Sequence, residues 1–197
     1  MTKKAVIFDV DGVLLDLVGN ICRSYGKYTG KPFGVENFTK VNKEFLENPK
    51  MFEEFRTFFS HSDDYSTLPP IEGMVELVDE LYEGGYDMYV VTAALDDEES
   101  VGRRESNLLN VFGNKFKKIY CVDQTCKSDV LKEIVKDYDK SFFIDDHPKK
   151  LMKCVDVVDV PIWRQSIGFE HFKEELDLNK VKPAYNVDDI KKIILES

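Results

Sequence analysis

Strand-like runs at residues 5–8, 86–92, 116–122 and 141–144 are separated by stretches with helical hydrophobic spacing. This alternation constrains the fold more than any other feature. Strands joined through helices of ten or more residues form βαβ units and a parallel sheet. Right-handed crossovers then put helices on both faces of that sheet. A fifth strand falls within 155–163. The expected architecture is α/β, a Rossmann-like parallel sheet of about five strands with helices on both faces.

The first run, Ala5-Val6-Ile7-Phe8, is continuously apolar and suits a strand buried on both sides. The polar turn Asp9-Val10-Asp11-Gly12 ends it. The stretch before the second strand is too long for an ordinary crossover. Its aromatic residues Phe45, Phe52, Phe55, Phe58 and Phe59 recur at helix-like spacing, and Pro69-Pro70 closes it. Residues 15–69 are therefore expected to form a small helical cap inserted after the first strand, with 1–14 and 70–197 as the core. Most of those phenylalanines are expected to pack as the cap's own small core.

Further along, helices are expected at 71–83, stopped by Gly84-Gly85, at 97–111, and at 129–138 with Ser128 as N-cap. The tail reads as a short helix near 169–176, a proline-containing loop and a last helix capped by Asn186. Trp163 with Ile162 is expected to pack against that last helix. Arg103-Arg104 reads as a solvated helix face, and His61 and His171 show no partner.

Thirty-seven acidic side chains against 27 basic ones give a net charge of −10. Such a surface repels polyanions, which argues against duplex nucleic acid as a partner. No apolar run approaches the roughly 20 residues of a membrane span. The start, Met1-Thr2-Lys3-Lys4, lacks the apolar stretch of a secretory signal, so a cytoplasmic location is expected. Cys22, Cys121, Cys126 and Cys154 make no C-x-x-C pair and match no zinc spacing, which suits free thiols in a reducing compartment.

In open α/β sheets, ligands bind beyond the carboxyl ends of the strands. Here those ends are polar. The first strand ends in Asp9 and Asp11, the second in Thr92, and the fourth in Asp145 and Asp146. Lys127 follows the third, just ahead of a helix. Side chains two apart on an extended segment point the same way, so Asp9 and Asp11 share a side. Adjacent carboxylates disfavour each other's ionisation, and a divalent cation removes that cost. Mg²⁺ takes oxygen ligands, and Asp145 would complete the protein's share of its shell. The Thr92 hydroxyl can donate to a phosphate oxygen, and Lys127 can offset phosphate charge.

Phe8-Asp9-Val10-Asp11-Gly12-Val13-Leu14 resembles the first motif of the haloacid dehalogenase-like hydrolases. Val90-Val91-Thr92-Ala93 is similar to their second motif, Lys127 to the third, and Phe143-Ile144-Asp145-Asp146 to the fourth. The resemblance implies a phosphatase in which Asp9 is the nucleophile and Asp11 the general acid and base. It implies that Thr92, Ala93 and Lys127 hold the phosphoryl oxygens. Mg²⁺ would rest on Asp9, the main chain of Asp11 and Asp145, with Asp146 in support.

A narrower resemblance is to the 5'(3')-deoxyribonucleotidase branch. It rests on Phe58-Phe59, Leu68-Pro69-Pro70-Ile71-Glu72-Gly73, Tyr86-Asp87 and Ile144-Asp145-Asp146-His147-Pro148. It implies a small phosphorylated metabolite as substrate, a nucleoside monophosphate above all. The chain departs from that branch at Thr92-Ala93-Ala94, where serine and proline usually follow the threonine. Sugar phosphates or another small phosphoester, and a catalytically silent ligand-binding or scaffold protein, stand as the alternatives.

Overall fold

The computed structural model describes residues 2–95, 97–122, 127–167 and 169–197. Within them one sheet contains β1 (Lys4–Phe8), β2 (Asp87–Ala93), β3 (Lys118–Val122), β4 (Lys140–Asp145), β5 (Val160–Arg164) and β6 (Lys182–Ala184). The strand order is β3-β2-β1-β4-β5-β6 and every pairing is parallel. Helices α1 (Val18–Thr29), α2 (Phe38–Glu47), α3 (Pro49–Ser60) and α4 (Asp63–Ser66) lie between β1 and α5 (Met74–Glu83). Helices α6 (Glu98–Phe112) and α7 (Lys127–Val135) flank β3, α8 (Pro148–Met152) follows β4, and α9 (Val187–Leu195) ends the chain.

The two-residue period of the strands sorts the core into two faces. Val6, Phe8, Val90, Phe142, Ile144 and Ile162 pack with Leu77 of α5, Leu108 of α6 and Ile190 of α9. Ile7, Val91, Phe143 and Trp163 point the other way, onto Leu131 of α7 and Leu151 of α8. Both faces are covered, so the central strands read as unbroken apolar runs. Trp163 therefore packs away from the last helix, contrary to the sequence expectation, while its neighbour Ile162 lies in the same core cluster as Ile190 and Ile194 of that helix. Adjacent strand residues cannot share a face.

Local signals explain where several helices begin. Asn48 caps α3 by accepting from Met51 N at 3.2 Å, with Pro49 in the first turn. Asp97 caps α6 through Ser100 N at 2.9 Å, and Asn186 caps α9 through Asp189 N at 2.8 Å. Ser128 is not a cap, because α7 already includes Lys127. The sixth strand, Lys182–Ala184, occupies what reads in sequence as a proline loop. It lies at the sheet edge, where Pro183 costs no ladder bond that a central strand would need. The short helix expected near 169–176 is a 3-10 turn, Glu170–Glu175. Cys126 and the side chain of His171 lie outside the described residues.

The aromatic residues of α1 to α3 form a packed cluster. The Phe55 ring lies 5.0 Å from Phe45, 5.4 Å from Tyr25 and 5.9 Å from Phe59. Spacings and tilts of this kind are favourable for aromatic pairs. Phe45, Phe55 and Phe59 are buried, whereas Phe58 is exposed. The segment leaves and rejoins the sheet through a tight crossing. Asp16 N donates to Pro69 O at 2.8 Å, and Ile71 N donates to Leu14 O at 3.0 Å.

Candidate active site

The order of the sheet dictates where the polar strand ends meet. From β1 the chain moves outward to β2 and β3, then returns to β4 on the other side of β1. β1 and β4 are thus neighbours at a topological switch point, where open α/β sheets hold their ligands. Phe8 is in register with Ile144, and Asp9 N donates to Ile144 O at 2.9 Å. One residue further on, Asp9 and Asp145 stand side by side.

Carboxylate oxygens of Asp9, Asp145 and Asp146 all lie within 4.8 Å of one another, and all three residues are buried. Lys127, only 3 % exposed, reaches in from α7. Its Nζ lies 2.8 Å from Asp9 Oδ2 and 2.7 Å from Asp145 Oδ2. Ser166 Oγ donates to Asp146 Oδ2 at 2.6 Å, and Trp163 Nε1 donates to the Asp146 carbonyl at 3.0 Å. Val10 N donates to Asp9 Oδ1, and His147 N donates to Asp145 Oδ1, both at 2.8 Å. Gly12, at φ +74°, lets the loop cross directly over this cluster. A Cβ there would stand 1.9 Å from Asp146 Oδ2.

Burial opposes ionisation of Asp9, but the Lys127 ammonium outweighs it and holds the carboxyl below its usual range. Burial raises Asp145, and Lys127 only partly offsets that. Burial, reinforced by Asp145 and Asp9, pushes Asp146 well above the ordinary carboxylate range. One lysine does not balance three buried carboxylates. A hard divalent cation with oxygen ligands does, and Mg²⁺ matches this donor set.

Asp11 is not one of the three. Its carboxylate turns to Arg104 of α6, whose Nη2 lies 2.7 Å from Oδ1 and 3.0 Å from Oδ2. Arg104 is fully buried, not solvated as the sequence suggested. Ser100, Arg104, Asn107, Leu108 and Phe112 form the buried stripe of α6. The helical phase shared with Leu108 and Phe112 was the readable signal for this arginine. Its neighbour Arg103 does face outward, where it pairs with Asp63 at 3.2 Å. His61 also has a partner, the α6 N-cap Asp97, at 3.1 Å.

A cleft of about 760 Å³ opens above the cluster. Asp9, Asp11, Thr92, Ala93 and Asp146 line its floor, so the structure brings these sequence candidates to one place. Thr92 is buried at the end of β2. Phe45, Phe52, Phe55 and Phe59 line the wall contributed by α2 and α3. Arg56 of α3, which sequence reasoning passed over, also lines it and donates to Ala94 O at 3.1 Å. On the other wall the His147 ring lies 4.6 Å from Phe169 and 5.4 Å from Phe172. Burial foremost, with the nearby Lys150 and Lys127 charges, lowers the imidazole pKa to about 4. His147 is therefore a neutral part of the cleft wall near neutral pH. No helix among the described residues is long and apolar enough to cross a membrane.

Comparison with known proteins follows the same line. The family model for 5' nucleotidase, deoxy (pyrimidine), cytosolic type C protein (NT5C) matches residues 3–175. Comparison with curated protein sequences gives no match. Among solved structures, a Clostridium difficile protein ascribed phosphatase activity is 20 % identical. The match covers 98 % of this chain and 99 % of that one, at a TM-score of 0.72. A haloacid dehalogenase-like family hydrolase from Streptococcus pneumoniae is 15 % identical, covering 99 % of each chain at a TM-score of 0.68. L-2-haloacid dehalogenase from Xanthobacter autotrophicus is 13 % identical, covering 98 % of each at 0.66. At these identities the structural likenesses establish the fold.

Proposed function

The chain belongs to the 5' nucleotidase, deoxy (pyrimidine), cytosolic type C family of the haloacid dehalogenase-like hydrolases, and on that premise we propose that it is a Mg²⁺-dependent phosphomonoesterase working through an aspartyl-phosphate. The observation that carries this reading is the cluster of Asp9, Asp145 and Asp146 beside a buried Lys127. A carboxylate nucleophile can meet an anionic phosphate only where positive charge is concentrated.

In this reading Asp9 forms a bond to phosphorus as the ester P–O bond breaks. Asp11 gives its proton to the leaving oxygen. Water then attacks the phosphoryl-aspartate and passes a proton to Asp11, and inorganic phosphate leaves as the Asp9–phosphorus bond breaks. Thr92, Ala93 and Lys127 hold the phosphoryl oxygens through both steps. Splitting hydrolysis this way replaces one difficult displacement with two easier ones. Asp9, Asp145 and Asp146, with the main chain of Asp11, would hold Mg²⁺, which supplies charge stabilisation at the transferring phosphoryl group.

Nucleoside monophosphates, deoxy or ribo, are the substrates we assign. Residues 15–69 act as the cap, and the apolar wall of the cleft takes the base. Stacking on aromatic rings contributes about 1–3 kcal/mol per base. The free cysteines Cys22, Cys121 and Cys154 suit a cytoplasmic setting. The test is a panel of nucleoside monophosphates, sugar phosphates and an aryl phosphate, run with Mg²⁺ and with a chelator, on wild type and Asp9→Asn. Mg²⁺-dependent turnover of nucleotides, abolished by Asp9→Asn in a folded protein, is expected. Turnover of sugar phosphates alone would remove the nucleotide assignment, and an unchanged rate in Asp9→Asn would remove the nucleophile.

A further inference from the structure

Arg104 is the most completely buried cation in the described structure that does not touch the carboxylate cluster. Its charge faces a single carboxylate, Asp11, at 2.7 Å. Its Nε donates to the Tyr65 hydroxyl at 3.1 Å, and the guanidinium carbon lies 4.0 Å from the centroid of the Tyr65 ring. Its Nη1 is buried with no hydrogen-bond partner. Burying an ion costs several kcal/mol, and a buried donor without a partner adds to that cost. An apolar residue would fill this stripe of α6 more favourably, so the arginine is explained by what it holds.

We infer that Arg104 is the positioning residue for Asp11, and that Tyr65 steadies it from α4. The inference rests on the proposed role of Asp11 as proton donor to the leaving oxygen. Asp11 lies three residues beyond β1, where its backbone makes only an isolated bridge to Leu15. One guanidinium nitrogen contacting both carboxylate oxygens restricts rotation of the carboxylate at the floor of the cleft. Tyr65 also lines that cleft and packs edge-on against Phe59, 5.4 Å away. The wall that receives the substrate and the group that protonates its leaving oxygen are therefore joined through one arginine.

The consequence is specific to the leaving group. An acidic aryl leaving group departs without help, whereas an alkoxide needs the proton. The quantity kcat/KM reports events through transfer of the phosphoryl group to Asp9, before water enters. The test compares kcat/KM for an alkyl phosphate and for p-nitrophenyl phosphate in wild type, Asp11→Asn, Arg104→Lys, Tyr65→Phe and the Asp11→Asn/Arg104→Lys pair, with thermal melts of each. The expected result is that Asp11→Asn loses about 100-fold or more on the alkyl ester and far less on the aryl ester. Arg104→Lys should lose about 10- to 100-fold with the same alkyl bias, since misplacing a reacting group by about 1 Å has effects of this size. Tyr65→Phe should show a smaller loss with the same bias, and the double variant should lose no more than Asp11→Asn alone.

Equal losses on both esters in Arg104→Lys, with Asp11→Asn still alkyl-selective, would overturn the positioning role and leave a purely structural arginine. An Asp11→Asn variant without leaving-group bias would instead sink the proton-donor assignment, and the inference with it. Should Arg104→Lys fail to fold, the bias of Tyr65→Phe decides the question: its presence supports the role and its absence overturns it.

Discussion

Lys127 and Asp9 are 2.8 Å apart, yet they come from opposite halves of the chain. The lysine starts α7 and the aspartate follows β1. Both are buried, so each needs the other's charge. Replacing Lys127 by Met leaves the carboxylates without their cation, which typically destabilises by about 3–5 kcal/mol. We expect urea unfolding at neutral pH to show a loss of that order in metal-free Lys127→Met. Added Mg²⁺ should recover part of it, because an ion held only by the assembled carboxylates would stabilise the folded state. Phosphatase turnover should fall by about 100-fold or more.

Gly12 is held at φ +74° with Asp146 against it. A side chain at positive φ costs roughly 1–2 kcal/mol, and the Cβ also displaces the Asp146 carboxylate. Gly12→Ala should therefore lower the melting temperature. It should weaken Mg²⁺ binding by about 10-fold or more, since disturbing the groups that orient metal ligands has effects of this size. Calorimetric titration with Mg²⁺ checks this. Unchanged affinity would show that Asp146 contributes nothing to holding the ion.

Phe55 is 1 % exposed and touches Phe45, Tyr25 and Phe59. Truncation of a buried phenylalanine costs about 3–5 kcal/mol. Phe55→Ala is expected to destabilise by that amount in chemical unfolding. Phe52→Ala, at a half-buried position on the same wall, should cost less and raise KM for nucleotides instead. The pair separates the aromatic residues that build the wall from those that meet the substrate.

Asp64 of α4 is buried, and Ser24, Lys27 and Arg23 of α1 approach it at 2.8, 2.6 and 3.2 Å. Burial opposes its ionisation, but the hydrogen bonds from Lys27, Ser24 and Arg23 prevail and hold its pKa below the usual 3.8. A carboxyl with a depressed folded-state pKa stabilises fully above its unfolded value. That stability is lost as pH falls through the lower, folded value. Wild type should exceed Asp64→Asn by about 1–2 kcal/mol at neutral pH, since both cations are half exposed and screened. The gap should persist down to about pH 4 and then close with further acidification, as chemical unfolding at each pH will show.

Asp9, Asp11, Thr92 and Asp145 were legible as polar residues closing strands because continuous apolar runs stop abruptly before them, and Lys127 was legible only by its place ahead of a helix. The sheet itself was legible for the same reason. β6 escaped notice because a three-residue edge strand containing Pro183 has neither length nor alternation to announce it. Arg104 escaped because a charged residue ordinarily marks a solvated face. Only its helical phase with Leu108 and Phe112 argued otherwise.

By itself, the chain's local chemistry determined the alternation of strands and helices, the carboxylates at the strand ends and the caps at Asn48 and Asn186. These depend on residues close in sequence, whose hydrogen bonds and side-chain periods are set by local backbone geometry. The tertiary structure alone decided that Asp11 turns away from the other carboxylates to Arg104 and that Arg56 and His147 face the same cleft. Those relationships depend on which strands become neighbours and which way each side chain is turned by packing. Both follow from burial of the whole core, a property no short segment carries.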